Sequence, residues 1–272
     1  MRKLSIAVLA LAAAVAVASV AYAANVYTVS GSTTAKGKGS ATKHIPTGTK
    51  LQFDVTETDS SKRGTVVEKY ALGAEGLVTN PKFFPKCAFS DMDAEATVPA
   101  KCNKALVGTG IAKNAAGPST NQSLASSTPC NLRVRLYNNS SAGRNGGMII
   151  RLDGGPPAPP SYDSNEIGCL LLIHESINGK FVKRKIGGMT SSDFTFTVPQ
   201  HLKHPLGGVD NSIRRSVSNV KLKTKLVKGK RRGFYEKIGC KGKTRLTRGT
   251  FVTEATASQS PQTFTATKAG KC

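Results

Sequence analysis

The chain has 272 residues, with 39 Lys and Arg against 16 Asp and Glu, a formal charge of +23, 27 glycines and no tryptophan. A cationic surplus of this size favours contact with polyanions by a long-range, salt-screened attraction, with simple solubility as the plainer meaning. Without Trp, and with six Tyr that do not cluster, a stacking platform for sugars is poorly supplied.

Arg2 and Lys3 precede an apolar run over residues 4–20 that leads to Ala21, Tyr22 and Ala23. A cationic end, an apolar centre and an Ala-x-Ala exit predict a secretory signal peptide over residues 1–23, cut after Ala23. An uncleaved anchor is the competing reading. The run is near the lower limit for spanning a bilayer, and the small-residue exit favours cleavage. No later apolar run approaches spanning length, so no transmembrane segment is expected after cleavage, and secretion or cell-envelope association is the expected location.

In the mature chain, residues 26–30 read as a first strand and residues 31–43, rich in Gly, Lys, Ser and Thr, as a flexible connector. Residues 24–45 thus form an N-terminal strand and connector, and residues 46–272 one large domain or two packed ones. Leu51, Phe53 and Val55 alternate with polar residues as a half-buried strand; a turn over residues 60–64 then predicts a hairpin with residues 65–72. Cys87 and Cys102 bracket a polar loop left through the β-prone residues 106–110.

Residues 107–113 read as a strand and residues 114–129 as a long exposed loop. Leu132, Val134 and Leu136 alternate with Arg133 and Arg135, and residues 148–152 return after a turn. Four prolines within residues 156–160 exclude a sheet interior. Residues 167–173 predict a central strand that pairs with residues 180–186 through an Asn178-Gly179 turn. Phe194, Phe196 and Val198 form a further strand, as do residues 220–226, 234–240, 244–257 and 262–268. Short alternating runs without helical period predict an all-β, antiparallel β-sandwich, jelly-roll wiring being one form of it.

Cys87, Cys102, Cys130, Cys169, Cys240 and Cys272 are an even set in an exported chain, so three disulfides are expected. Fifteen connectivities are open; pairing neighbours in order closes loops of modest length and joins Cys87 to Cys102, Cys130 to Cys169 and Cys240 to Cys272. No two cysteines have the close spacing of a zinc site.

Taken together, Phe84-Pro85-Lys86-Cys87, Cys102, the Val107–Gly110 run, Leu136-Tyr137-Asn138, Val198-Pro199 with Leu202, and residues 204–211 resemble a group of secreted β-rich proteins of actinobacteria. Cys102 is followed here by Asn103, where that group often has Pro. The resemblance implies export and a β-rich fold and brings no activity with it.

Residues 214–248 hold most of the concentrated positive charge, with Glu236 the one acid among them. On a strand of period two, Lys221, Lys223 and Lys225 project from one face about 7 Å apart while Val220, Leu222 and Leu226 face the core. Lys228, Lys230, Arg231 and Arg232 cap that face from the adjoining turn. Such a row suits a polymer with regularly spaced phosphates or carboxylates; the alternative is a solvated face whose lysines discourage edge pairing.

His201 and His204, with Asp210 and Asn211 nearby, suggest a metal or acid–base site, but lack zincin spacing and read better as a loop anchor. Asp91, Asp93 and Glu95 alternate without the glycine and distal glutamate of a calcium loop. No nucleophile elbow, phosphate-binding loop or cofactor motif is present. The expected function is non-enzymatic association with an anionic cell-wall polymer or acidic polysaccharide through the basic face, without specific nucleic-acid recognition. The alternative is a secreted hydrolase or lyase acting on an envelope polysaccharide with carboxylates that leave no local motif.

Overall fold

The computed structural model describes residues 25–93, 97–139, 142–155, 168–169, 172–256 and 260–272. The expected signal peptide and the proline run lie outside these, as do residues 167, 170 and 171 of the expected central strand over residues 167–173. The described part of that stretch does not form it: Gly168 makes only an isolated bridge to Asn131, Leu172 is 73% exposed, and Ile173 alone lies in a strand, as its first residue. The first strands are β1 (Asn25–Thr33), β2 (Ile45–Thr47), β3 (Thr49–Glu57), β4 (Val67–Ala74) and β5 (Leu77–Thr79). A segment containing the short helix α1 (Phe89–Asp93) leads to β6 (Leu106–Pro118), β7 (Thr128–Pro129), β8 (Leu132–Asn139) and β9 (Gly147–Gly154). Next come β10 (Ile173–Ile186), β11 (Met189–Thr197), the turn of helix α2 (Gln200–Lys203) and β12 (Val209–Val220). The chain closes with β13 (Thr224–Val227), β14 (Lys230–Gly233), β15 (Tyr235–Lys237), β16 (Thr244–Thr253) and β17 (Thr263–Lys271).

The all-β antiparallel architecture is as expected, and its strands lie in one continuous path, β1-β3-β12-β6-β8-β9-β10-β11-β4-β16-β17, with β7 beside β6. The two ends of the path meet. Tyr27 of β1 stacks on Phe251 of β16 and on Phe264 of β17, each at 4.8 Å between ring centroids, so the sheet rolls up nearly into a barrel. Ten antiparallel steps leave β1 and β17 running in the same direction, and aromatic packing rather than an antiparallel ladder joins this seam. Two smaller sheets, β13-β14 and β2-β15-β5, stand off the main path.

Alternation places the core. Leu132, Val134 and Leu136 turn inward and are buried, while Arg133 and Arg135 turn outward to Asp153, with Arg135 Nη2 2.7 Å from its Oδ2. A second cluster, Phe53, Tyr70 and Phe251 with Phe196 against it, fills the region behind the seam. The cysteines pair as neighbours, Cys87–Cys102, Cys130–Cys169 and Cys240–Cys272, which fits an oxidising, extracellular compartment. Among the described residues, no helix is long and apolar enough to cross a membrane.

Several local expectations are corrected. β3 and β4 form no hairpin: β3 pairs with β1 and β12, and β4 with β11 and β16. The intervening turn is drawn elsewhere by Arg63, 1% exposed, whose guanidinium donates to the carbonyls of Asp210 at 2.8 Å, Pro118 at 2.6 Å and Asn121 at 3.0 Å. Asn178 and Gly179 lie inside β10, paired with Ile149 and Met148. The reversal comes instead at Gly187 and Gly188, with φ of 58° and 86°, the left-handed pair that a tight hairpin needs.

The connector after β1 is pinned by Lys237 Nζ on the Ala35 carbonyl at 2.5 Å and by Lys38 Nζ on the Gly242 carbonyl at 2.8 Å. Residues 114–118 continue β6, so the exposed loop is shorter than expected. β12 had no clear sequence signal, because its inward residues are interrupted by Arg214 and Arg215 at a bulge.

Candidate functional site

β12 carries Val220 into the core opposite Thr49, the first residue of β3, and Gly108, near the start of β6. Both ladders end there, so the strand cannot run on through residues 221–226 as the sequence suggests. The chain leaves the main sheet between two anchors, Lys221 N–H donating to the Val107 carbonyl at 2.9 Å and Phe234 N–H to the Lys223 carbonyl at 3.0 Å. Between them β13 and β14 form a separate antiparallel ribbon. Its turn is Lys228-Gly229, with φ of 49° and 72°, a two-residue reversal matched to strand twist.

This placement overturns the expected lysine row. Leu222 and Leu226, expected in the core, are 52% and 71% exposed. Lys221 and Lys223 lie on the connector rather than on a strand, and Lys225 lies on β13. Cross-strand partners share a face, so Lys225 and Lys230 stand on one side of the ribbon, and Leu226 and Arg231 on the other, with Lys228 at the tip. Burial and then the charge of Lys221 hold the Lys223 ammonium below the ordinary lysine value, so these two cations crowd one another at the base.

Lys221, Lys223, Lys225, Lys228, Lys230 and Arg231 have no ion pair or side-chain hydrogen bond among the described residues. Arg232 is different. Its Nε and Nη2 each lie 3.0 Å from a Glu236 carboxylate oxygen, and Nη2 also donates to Asn80 Oδ1 at 3.2 Å. Glu236 is fully buried and accepts the Gly233 N–H at 2.8 Å, with His44 Nδ1 at 2.8 Å. Burial pushes its carboxyl up, but the Gly233 amide, His44, Asn80 and Arg232 together hold it below the usual glutamate value. Arg232 therefore fastens the ribbon and leaves the candidate binding set.

The rest of the basic stretch divides among other places. Lys237 and Arg245 are buried, Arg245 Nη1 donating to the Glu75 carbonyl at 2.8 Å. Arg248 Nη2 binds Asp193 Oδ2 at 2.7 Å. Arg214 and Arg215 line an open groove with Lys113, where Arg215 pairs with Asp54. No single face carries all of these charges.

His204 acts as a loop anchor: Nδ1 lies 3.0 Å from Asp210 Oδ1 and Nε2 2.6 Å from Glu254 Oε2, so both ring nitrogens are engaged. Burial raises the Glu254 carboxyl, and hydrogen bonds from Lys203 and His204 outweigh it to hold the group low. His201 pairs separately with Glu175 at 3.0 Å. Asp91 is bound to Lys101 at 2.9 Å, and Glu95 lies outside the described residues. The one close group of potential ligands among the described residues, Cys87, Asp91 and Cys102, has both sulfurs in a disulfide and offers no thiolate to a metal.

Sequence reasoning missed the barrel interior as a feature. It placed Leu132, Val134 and Leu136 on one side of a strand, yet alternation carries no information on whether opposing walls meet; here the walls border a cavity of about 130 Å³. No family model matches the chain, and neither does any curated protein or solved structure.

Proposed function

We propose that this chain is an exported, non-enzymatic protein that associates with an anionic cell-envelope polymer through the β13–β14 ribbon and its connector. The observation behind this reading is the cluster of six cations, Lys221, Lys223, Lys225, Lys228, Lys230 and Arg231, close together in sequence and without an ion pair among the described residues, while the neighbouring acid, Glu236, is sealed beneath Arg232. A phosphate- or carboxylate-bearing chain releases counterions on meeting such a ribbon, and binding then weakens steeply with salt. A polysaccharide hydrolase would need two free carboxylates facing a cleft. Among the described acids, Asp153, Asp193, Asp210, Glu236 and Glu254 are each tied to a cationic or histidine side chain.

The test is retention of the oxidised protein on purified envelope polymers across a salt series. A Lys221→Gln, Lys223→Gln, Lys225→Gln variant is compared with a charge-matched control, Lys243→Gln, Lys268→Gln, Lys271→Gln, whose lysines are exposed elsewhere. Early elution of the first variant alone supports the ribbon. Equal loss in both variants would reduce the effect to net charge and overturn this reading.

A further inference from the structure

The barrel wall is apolar on its inner side, with Phe53, Tyr70, Val134, Phe194 and Phe196 among the residues around the cavity. Polar side chains, Ser192, Lys203, Ser216 and Ser218 among them, interrupt it, and three polar atoms of the wall are left unpaired. Asn114 Oδ1, Asn211 Oδ1 and Arg245 Nε are buried and have no hydrogen-bond partner among the described residues, and all three residues line the cavity. Asn114 is 6% exposed and Arg245 3% exposed. A buried polar atom left unpaired is unfavourable by about 1–3 kcal/mol, so a set of them around one space signals a missing partner.

The two asparagines belong to one patch of wall. Asn114 pairs with Ile213 in the β6–β12 ladder and Asn211 with Ala116, which makes Asn114 and Asn211 diagonal neighbours on adjoining strands. The Asn211 amide nitrogen is already committed to the Leu202 carbonyl at 2.9 Å, so its oxygen is the group left over. What this patch lacks is a hydrogen-bond donor. The space is several times one water's share of liquid volume, about 30 Å³, and close to the roughly 150 Å³ apolar cavity that holds a benzene ring.

We infer that the barrel interior is a binding site for a single-ring phenolic molecule, whose ring packs among the aromatic and aliphatic wall residues and whose hydroxyl donates to the Asn114 and Asn211 oxygens. The ring suits a wall that already presents Phe and Tyr faces, and the hydroxyl supplies a donor to the two asparagine oxygens. This site lies apart from the basic ribbon and stands or falls separately from polymer binding.

The test is titration of the oxidised full chain with phenol and with toluene, which has the same shape without the hydroxyl, followed by calorimetry and by methyl NMR shifts of the wall residues. Saturable phenol binding, at least tenfold tighter than toluene, is expected. Asn114→Leu should bring the two ligands to equal affinity. Val134→Phe and, independently, Ala112→Leu should fill the space and abolish binding of both, with the β-sheet circular dichroism and salt-dependent polymer retention unchanged. Absence of saturable phenol binding to the wild type overturns the inference, whatever the variants do. So does equal affinity for phenol and toluene in the wild type, which would leave the asparagine oxygens to ordered water.

Discussion

Arg232 and Glu236 are joined by two hydrogen bonds of 3.0 Å, Nε to Oε1 and Nη2 to Oε2, across the base of the β13–β14 ribbon. The contact removes the one carboxylate of residues 214–248 from the surface and leaves the ribbon's remaining cations without an internal counter-charge. It also makes neighbouring basic residues unequal. Arg232→Gln strands a buried carboxylate and should destabilise the protein by about 3–5 kcal/mol, whereas Lys230→Gln, exposed and unpaired, should stay within about 0.5 kcal/mol. Urea unfolding measures the first, and the salt series should show polymer retention weakened by the second.

Acid should unfold the protein partly through the same contact. The Glu236 carboxyl is held below its ordinary value of 4.5 in the folded state, so the stability it contributes is complete above that value and is lost as pH falls through the folded one. Glu254 acts with the same sign. Glu236→Gln should lower stability at neutral pH and flatten the acid limb by up to one proton, about 1.4 kcal/mol per pH unit. An acid limb of unchanged slope in this variant would show that Glu236 contributes no pH dependence.

The seam depends on Tyr27, which bridges Phe251 and Phe264 where no antiparallel ladder closes the sheet. Tyr27→Ala should lose about 2–3 kcal/mol, and amide exchange should accelerate first along β1 and β17. Uniform acceleration over all strands would mean that the seam opens only with global unfolding.

Arg63 holds the crossover between β3 and β4 by donating to three carbonyls. Arg63→Ala leaves those acceptors without their donor and should be destabilising by about 3 kcal/mol, with Arg63→Lys recovering only part because an ammonium lacks the planar fork. Full recovery by lysine would reduce the role to charge alone.

Local chemistry determined a good deal of this molecule. Alternation at Leu51, Phe53 and Val55 and at Leu132, Val134 and Leu136 is a period-two pattern read directly along the chain, and it placed those strands and their buried faces. Sequential pairing of the cysteines held because each pair closes a modest loop.

The tertiary structure decided what depends on distant partners. Lys221, Lys223 and Lys225 alternate with apolar residues just as a strand would, but the ladders of β3 and β6 end at Val220, so the same pattern became an exposed ribbon. Which of two glycine-bearing turns reverses β10 depended on its pairing with β9, and the fate of Arg63 and Arg232 depended on acceptors far along the chain or across a fold. The cavity between opposing walls belongs to the same class: a strand's sequence states which face is buried, and only the closure of the sheet sets how much space that face leaves.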